Sequence, residues 1–282
     1  MYKNLKLLKV IRLIVRRYKL ASIIKKSDAS SDASYDPKTD RLSDGYLKTT
    51  INELVQRDDF TEKLKASSLR KLPEQNDKSY FTWELPDFVW STLLSSRNLE
   101  SLVKDYIGPN VRLDDLYIKT VLDGYGSASE AWHDDNVGYR LKVFMVFDVE
   151  NTPSGTILIP KARPNLYKVS LADELSRALK MKKKETRGSE VRVGYAAGDC
   201  LIFDTNLAHR GDYSSGEGIR FCLIAEFMDR EKSNSLRGKA PCSPGQGKAK
   251  IKIPTQVKEL ILHSDLIDND LIYVADEAIY YG

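Results

Sequence analysis

Residues 132–149 read WHDDNVGYRLKVFMVFDV, a polar opening that runs through Gly138 into a short β-rich segment, Leu141–Val149. Valine and phenylalanine dominate that segment, as in a strand that packs on a core. Similar short runs recur downstream at Thr156–Pro160, Val191–Tyr195, Leu201–Asp204 and Ile219–Phe227, and upstream at Leu116–Leu122, with Gly and Asp turns between them. From Tyr46 to about Ile107 the spacing is different. Ile51, Leu54 and Val55, and later Leu93, Leu94, Leu99, Leu102 and Val103, recur at helical intervals, and Gly108-Pro109 supplies a stop. The pattern predicts a mainly β core with flanking helices, of α+β class.

At 282 residues, with 41% hydrophobic side chains and 15 Tyr, 8 Phe and 3 Trp, the chain is large enough to bury a core and too aromatic for general disorder. The net charge of +4 conceals an asymmetry. Residues 1–26 hold nine Lys or Arg and no acid, so the remainder has 44 − 9 = 35 basic against 40 acidic residues. A mildly acidic body excludes nucleic-acid binding by overall basicity. The basic segment spaces Leu7, Leu8, Val10, Ile11, Leu13, Ile14 and Val15 among Lys9, Arg12, Arg16 and Lys19, which predicts an amphipathic helix. Arg12, Arg16 and Arg17 rule it out as a signal peptide or a bilayer span. It is expected to pack on its own domain or a partner protein, or to lie on an anionic membrane surface. Residues 27–44 read as a flexible polar linker, residues 45–230 as the main domain, and residues 231–282 as an extension on the core with a short helix near Val257–His263. Three cysteines, Cys200, Cys222 and Cys242, lack CxxC spacing, which suits a reducing, cytoplasmic setting.

Histidine is scarce enough to be informative, because the chain has three. His133 and Asp135 form a His-x-Asp unit at the entrance to the Leu141–Val149 run, and His209 follows Leu201–Asp204. In extended backbone, residues two apart project to the same side, so His133 and Asp135 are spaced for chelation. Two imidazoles and a carboxylate on one face of a metal leave three positions open, the arrangement of non-haem Fe(II) oxygenases. The plain alternative is a His133 that hydrogen-bonds a nearby carboxylate in a turn. Arg220 lies eleven residues after His209. Alternation puts Arg220, Cys222, Ile224 and Glu226 on one face of the last strand and Phe221, Leu223, Ala225 and Phe227 on the other. An inward guanidinium requires an anion, and its planar fork matches a carboxylate such as the distal one of 2-oxoglutarate. An Arg on an exposed edge, paired with Glu217 or Glu226, is the other reading.

Taken together, Trp132-His-Asp-Asp-Asn136, Tyr139-Arg-Leu-Lys-Val-Phe144, Gly198-Asp-Cys-Leu-Ile-Phe-Asp204, His209-Arg-Gly211 and Arg220 resemble the phytanoyl-CoA dioxygenase-like family of Fe(II)/2-oxoglutarate oxygenases. The resemblance covers roughly residues 85–230. It implies a double-stranded β-helix, a jelly-roll, cupin-like core. It also implies that His133, Asp135 and His209 bind iron and that Arg220 holds the distal carboxylate of 2-oxoglutarate. Lys119, Lys142, Phe144 and Thr156 fall on strands that line the co-substrate pocket in that fold. The implied reaction hydroxylates an unactivated carbon of a small-molecule, lipid-type or sugar-type substrate with O₂, releasing succinate and CO₂. Asp135 favours hydroxylation or another oxidation over halogenation, which uses a small residue there. Pro160-Lys-Ala-Arg-Pro164 departs from the family's usual Pro-Gly-Ser-His-like segment, so the substrate contacts differ. The run from Lys180 to Arg187 suits an anionic substrate group or a plain solvated loop, and Trp132 and Tyr139 suit a substrate wall or the core. A non-catalytic metal-binding jelly roll and a zinc hydrolase are the competing classes, and neither accounts for Arg220.

Overall fold

The computed structural model describes residues 41–72, 79–122, 132–133, 140–151, 155–160, 189–212 and 218–229, scattered positions within 11–25, and the backbones of 249–251 and 279–281. The strands are β1 (Tyr46–Thr50), β2 (Ser79–Thr82), β3 (Val111–Leu122), β4 (Arg140–Glu150), β5 (Gly155–Leu158), β6 (Val191–Val193), β7 (Asp199–Asp204), β8 (His209–Asp212) and β9 (Ile219–Asp229). Helices α1 (Ile51–Val55), α2 (Phe60–Ala66), α3 (Asp87–Ser95) and α4 (Arg97–Ile107) lie between β1 and β3 in sequence. An antiparallel pair, β10 (Ala249–Ile251) with β11 (Ile279–Tyr281), occurs in the C-terminal extension, and residues 257–263, where a helix is expected, lie outside the described set.

One antiparallel sheet has the order β1-β7-β4-β9-β3-β2 and the other the order β6-β5-β8. From β3 to β9 the chain alternates between them: β3 in the large sheet, His133 bridged to the small one, β4 large, β5 and β6 small, β7 large, β8 small, β9 large. That alternation is a double-stranded β-helix, or jelly roll. The mainly β core is therefore present.

Strand alternation divides the large sheet into two apolar faces. Phe221, Leu223, Ala225 and Phe227 of β9, with Leu141, Val143, Met145 and Phe147 of β4, pack against Leu54, Leu64, Trp90, Leu99 and Val103 of the helices. Cys222 and Ile224 of β9, Val146 of β4, and Leu201 and Phe203 of β7 face Leu158, Val193, Tyr195 and Leu207 of the small-sheet side. Each such large side chain contributes about 1.5–3 kcal/mol on burial. A register shift between Val146 and Asp148 re-aims the end of β4, so that Val149, not Asp148, sits opposite Arg220.

Two strands fall inside the region with helical spacing. β1 pairs with β7 and β2 with β3, so Tyr46–Thr50 and Ser79–Thr82 are the edges of the large sheet. Their extended state comes from partners far along the chain, which local periodicity does not register. Thr50 ends β1 and opens α1 through a capping box with Glu53. β3 also starts at Val111, ahead of the expected Leu116. Leu42, inside the segment read as linker, is buried, while residues 27–40 lie outside the described set. In the N-terminal segment the described positions are helical, with Ile14 and Ala21 buried and Ile11, Val15 and Tyr18 exposed.

Candidate active site between the two sheets

The turn after β7 sets up the site. Asp204 is buried, accepts a hydrogen bond from Tyr106 Oη at 2.7 Å, and accepts two more from the backbone and side-chain nitrogens of Asn206. The backbone N–H of Leu207 closes the turn on the Asp204 carbonyl, delivering the chain to His209 at the start of β8. His209 and His133 then exchange backbone hydrogen bonds, N–H to O=C at 2.9 and 3.0 Å. Their ring centroids are 4.3 Å apart at 54°. Residues 76 positions apart in sequence are thereby held as one pair of imidazoles.

His209 is buried, and its Nδ1 stands 2.9 Å from the Leu207 carbonyl. A carbonyl can only accept, so Nδ1 carries a proton, and Nε2 is the nitrogen through which the ring would bind a metal. Phe203 packs edge-on to the same ring at 5.0 Å, with Phe144 edge-on to Phe203 at 5.2 Å. Trp132, buried beside His133, carries the Arg210 guanidinium over its ring at 5.0 Å. Among the described residues no three His, Cys, Asp or Glu side chains gather as a metal site, and Asp135 lies outside those residues. Tyr139, residues 161–164 and residues 180–187 lie outside them too.

Arg220 is on the interior face of β9, a central strand flanked by β3 and β4, and is 9% exposed, so the exposed-edge reading does not hold. Its guanidinium lies 4.7 Å above the Tyr195 ring. Tyr195 Oη and Thr156 Oγ1 are 2.7 Å apart, and both residues are buried. Burial raises the Tyr195 hydroxyl well above its usual range, more than the nearby Arg220 lowers it, so the phenol stays protonated and available to donate. Arg220, Tyr195 and Thr156 thus form one polar group in the apolar layer between the sheets. Sequence reading did not select Tyr195, because its relation to Arg220 arises only once the sheets face each other.

Lys142 and Lys119 are placed differently from each other. Lys142 lies 3.4 Å from Glu226, whose carboxylate is also ion-paired with Arg140 and accepts from Tyr117 Oη at 3.1 Å. Lys119 sits beside Cys222 in the β3–β9 register, with its ammonium 5.3 Å from the Phe81 ring centre. Beyond Glu226, Asp115 is buried and accepts from Trp83 Nε1 at 3.1 Å. Burial, reinforced by Asp114, pushes its carboxyl up to about 7.

No family model and no curated protein matches the sequence. Solved structures do. The chain is similar to HygX from Streptomyces hygroscopicus with nickel and 2-oxoglutarate bound, at 15% identity and a TM-score of 0.47, covering 67% of this chain and 85% of that one. It is similar to EctD from S. alaskensis with 2-oxoglutarate and 5-hydroxyectoine, at 16% identity and a TM-score of 0.48, covering 77% and 84%. For EvdMO1 the identity is 18% and the TM-score 0.45, and this chain, 67% of it covered, spans about half (48%) of that protein's length.

Proposed function

We propose that the chain is a mononuclear Fe(II)/2-oxoglutarate-dependent dioxygenase, a hydroxylase of the phytanoyl-CoA dioxygenase-like kind. The observation that carries this is the His133–His209 pair at one end of the interior that Arg220 enters from β9. In this reading His133, Asp135 and His209 hold iron. Bound there, iron supplies O₂ activation coupled to the oxidative decarboxylation of 2-oxoglutarate.

The chain's own groups do the positioning. The Leu207 carbonyl fixes the His209 ring and its tautomer. Arg220 offers a planar fork to the far carboxylate of 2-oxoglutarate, and Tyr195, protonated and next to Thr156, supplies a hydroxyl donor in the same interior. Phe203, Phe144, Leu201 and Ile224 surround that interior with apolar area, which limits water around the reacting groups. A metal-binding scaffold would not need a buried guanidinium on the interior face of β9, and a zinc hydrolase would not need a co-substrate.

The test is 2-oxoglutarate-dependent succinate formation by the full chain with Fe(II) and O₂, with and without candidate substrates. Turnover in the wild type that is lost in His209→Ala supports the proposal. Absence of succinate from folded, iron-loaded wild type, even as the slow substrate-free side reaction, overturns it.

A further inference from the structure

Phe81 and Trp83 at the β2 edge of the large sheet, and Tyr117 on β3, form a cluster of three rings. Phe81 and Trp83 stack at 6.1 Å and 15°, and Tyr117 lies 6.0 Å from Phe81 and 5.8 Å from Trp83. Phe81 is 40% exposed and Trp83 and Tyr117 are half-buried. Phe81 and Trp83 belong to neither apolar core, and Tyr117 packs against the inter-sheet core as a partly buried residue.

Their polar tips are nonetheless fixed from inside. Trp83 Nε1 donates to Asp115 Oδ1 at 3.1 Å, and Tyr117 Oη donates to Glu226 Oε1 at 3.1 Å. Asp115 is 9% and Glu226 2% exposed. Burying a carboxylate costs several kcal/mol unless it is well paired, and Glu226 meets that cost through Arg140 and Lys142. These acids add nothing to the apolar cores. What they do is hold two aromatic faces in one orientation at a partly open edge, the preorganisation a ligand platform requires.

A relay across the neighbouring strands β7, β4, β9 and β3 leads from the histidine pair to the platform. Phe203 lies against His209, Lys142 is the register partner of Phe203, Lys142 meets Glu226, and Glu226 holds Tyr117. We propose that Phe81, Trp83 and Tyr117 are the substrate-binding platform and that the substrate presents a hydroxyl-bearing saturated ring, a sugar or cyclitol, to them. This deepens the oxygenase proposal and rests on it for the direction in which the reacting carbon faces.

Three features select that class. Aromatic faces carry a negative quadrupole that attracts the polarised C–H groups of a hydroxylated ring. Asp115 and Glu226 place carboxylate oxygens beside Trp83 and Tyr117, acceptors of the kind that ligand hydroxyls require. The Lys119 ammonium over Phe81 disfavours a cationic ring there, against the ammonium-type ligands that aromatic clusters otherwise favour.

Saturation-transfer NMR on the metal-free full chain, with D-glucose, myo-inositol and benzoate as separate probes at millimolar concentration, tests this without turnover. Ring-proton saturation is expected for at least one of the two polyols. It should fall at least tenfold in Trp83→Ala, persist in His133→Ala, and partly survive in Trp83→Phe, which keeps a ring. Saturation of neither polyol, binding of benzoate alone, or a Trp83→Ala variant that binds as the wild type does would each overturn the platform. Failure here is separable from failure of the oxygenase proposal. Trp83→Ala should still bind Fe(II) and 2-oxoglutarate, so a loss of polyol binding with that complex intact belongs to the platform alone.

Discussion

His133 and His209 are backbone partners: each donates its N–H to the other's carbonyl, and the two rings stand 4.3 Å apart. Because the backbone, and not the side chains, makes the pair, replacing either ring leaves the bridge intact. His133→Ala and His209→Ala are therefore expected to fold, with unchanged far-ultraviolet circular dichroism, and to lose stoichiometric iron after reconstitution and desalting. Iron retained at wild-type level in both variants would show that the rings are not ligands.

The Arg220 guanidinium stands 4.7 Å from the centre of the Tyr195 ring in the interior, where a fork and a point charge differ. Arg220→Lys keeps the charge and loses the bidentate geometry. Charge-assisted hydrogen bonds contribute about 1.5–3 kcal/mol, so the half-saturating 2-oxoglutarate concentration should rise roughly 10- to 100-fold. Maximal succinate formation should change less. An equal loss in both parameters would place Arg220 outside co-substrate binding.

Asp115 gives a signed pH effect. Its carboxyl is raised to about 7, mainly by burial and next by Asp114, against an ordinary value of 3.8. In the folded state it holds its proton between those values while the unfolded chain has released it. Its contribution to stability is thus greatest at low pH and declines as pH rises from about 4 to about 7. Asp115→Asn keeps an oxygen to accept from Trp83 and removes the titration. The Tm of the variant relative to wild type should increase from pH 5 to pH 8, and a constant difference would contradict the burial assigned to Asp115.

Gly155 opens β5 opposite Asp212, with the neighbouring strand close above it. A Cβ there would come within 2.5 Å of the Val193 carbonyl oxygen, a backbone atom of β6 that has no rotamer to yield. Gly155→Ala should destabilise the fold by about 1–3 kcal/mol, the usual cost of overpacking. The effect is measured by urea denaturation. A neutral substitution would mean that β5 and β6 are not packed at this spacing.

The parts of this architecture visible in the sequence are those written in local periodicity. The faces of β9 follow from alternation, so Arg220 and Cys222 separate from Phe221 and Leu223 before any partner is known. β4 announces itself by its apolar run. β1 and β2 do not: YLKTT and SYFT are short edge strands whose state depends on β7 and β3. The His133–His209 pair was legible as chemistry, because histidine is rare in this chain, but its backbone bridge was not. Tyr195 beneath Arg220 and the Tyr117–Glu226 bond are contacts across 25 and 109 residues, which no window of sequence contains.

His133, Asp135 and His209 are proposed to hold Fe(II) while Arg220 orients 2-oxoglutarate upon it. Anaerobic titration of Fe(II) and then 2-oxoglutarate into the metal-free full chain measures it directly, through the weak visible charge-transfer band of a chelated 2-oxo acid. The band is expected in wild type and lost in Asp135→Ala, with a higher 2-oxoglutarate requirement in Arg220→Lys. Folded, iron-loaded wild type that shows no band at saturating 2-oxoglutarate would contradict it.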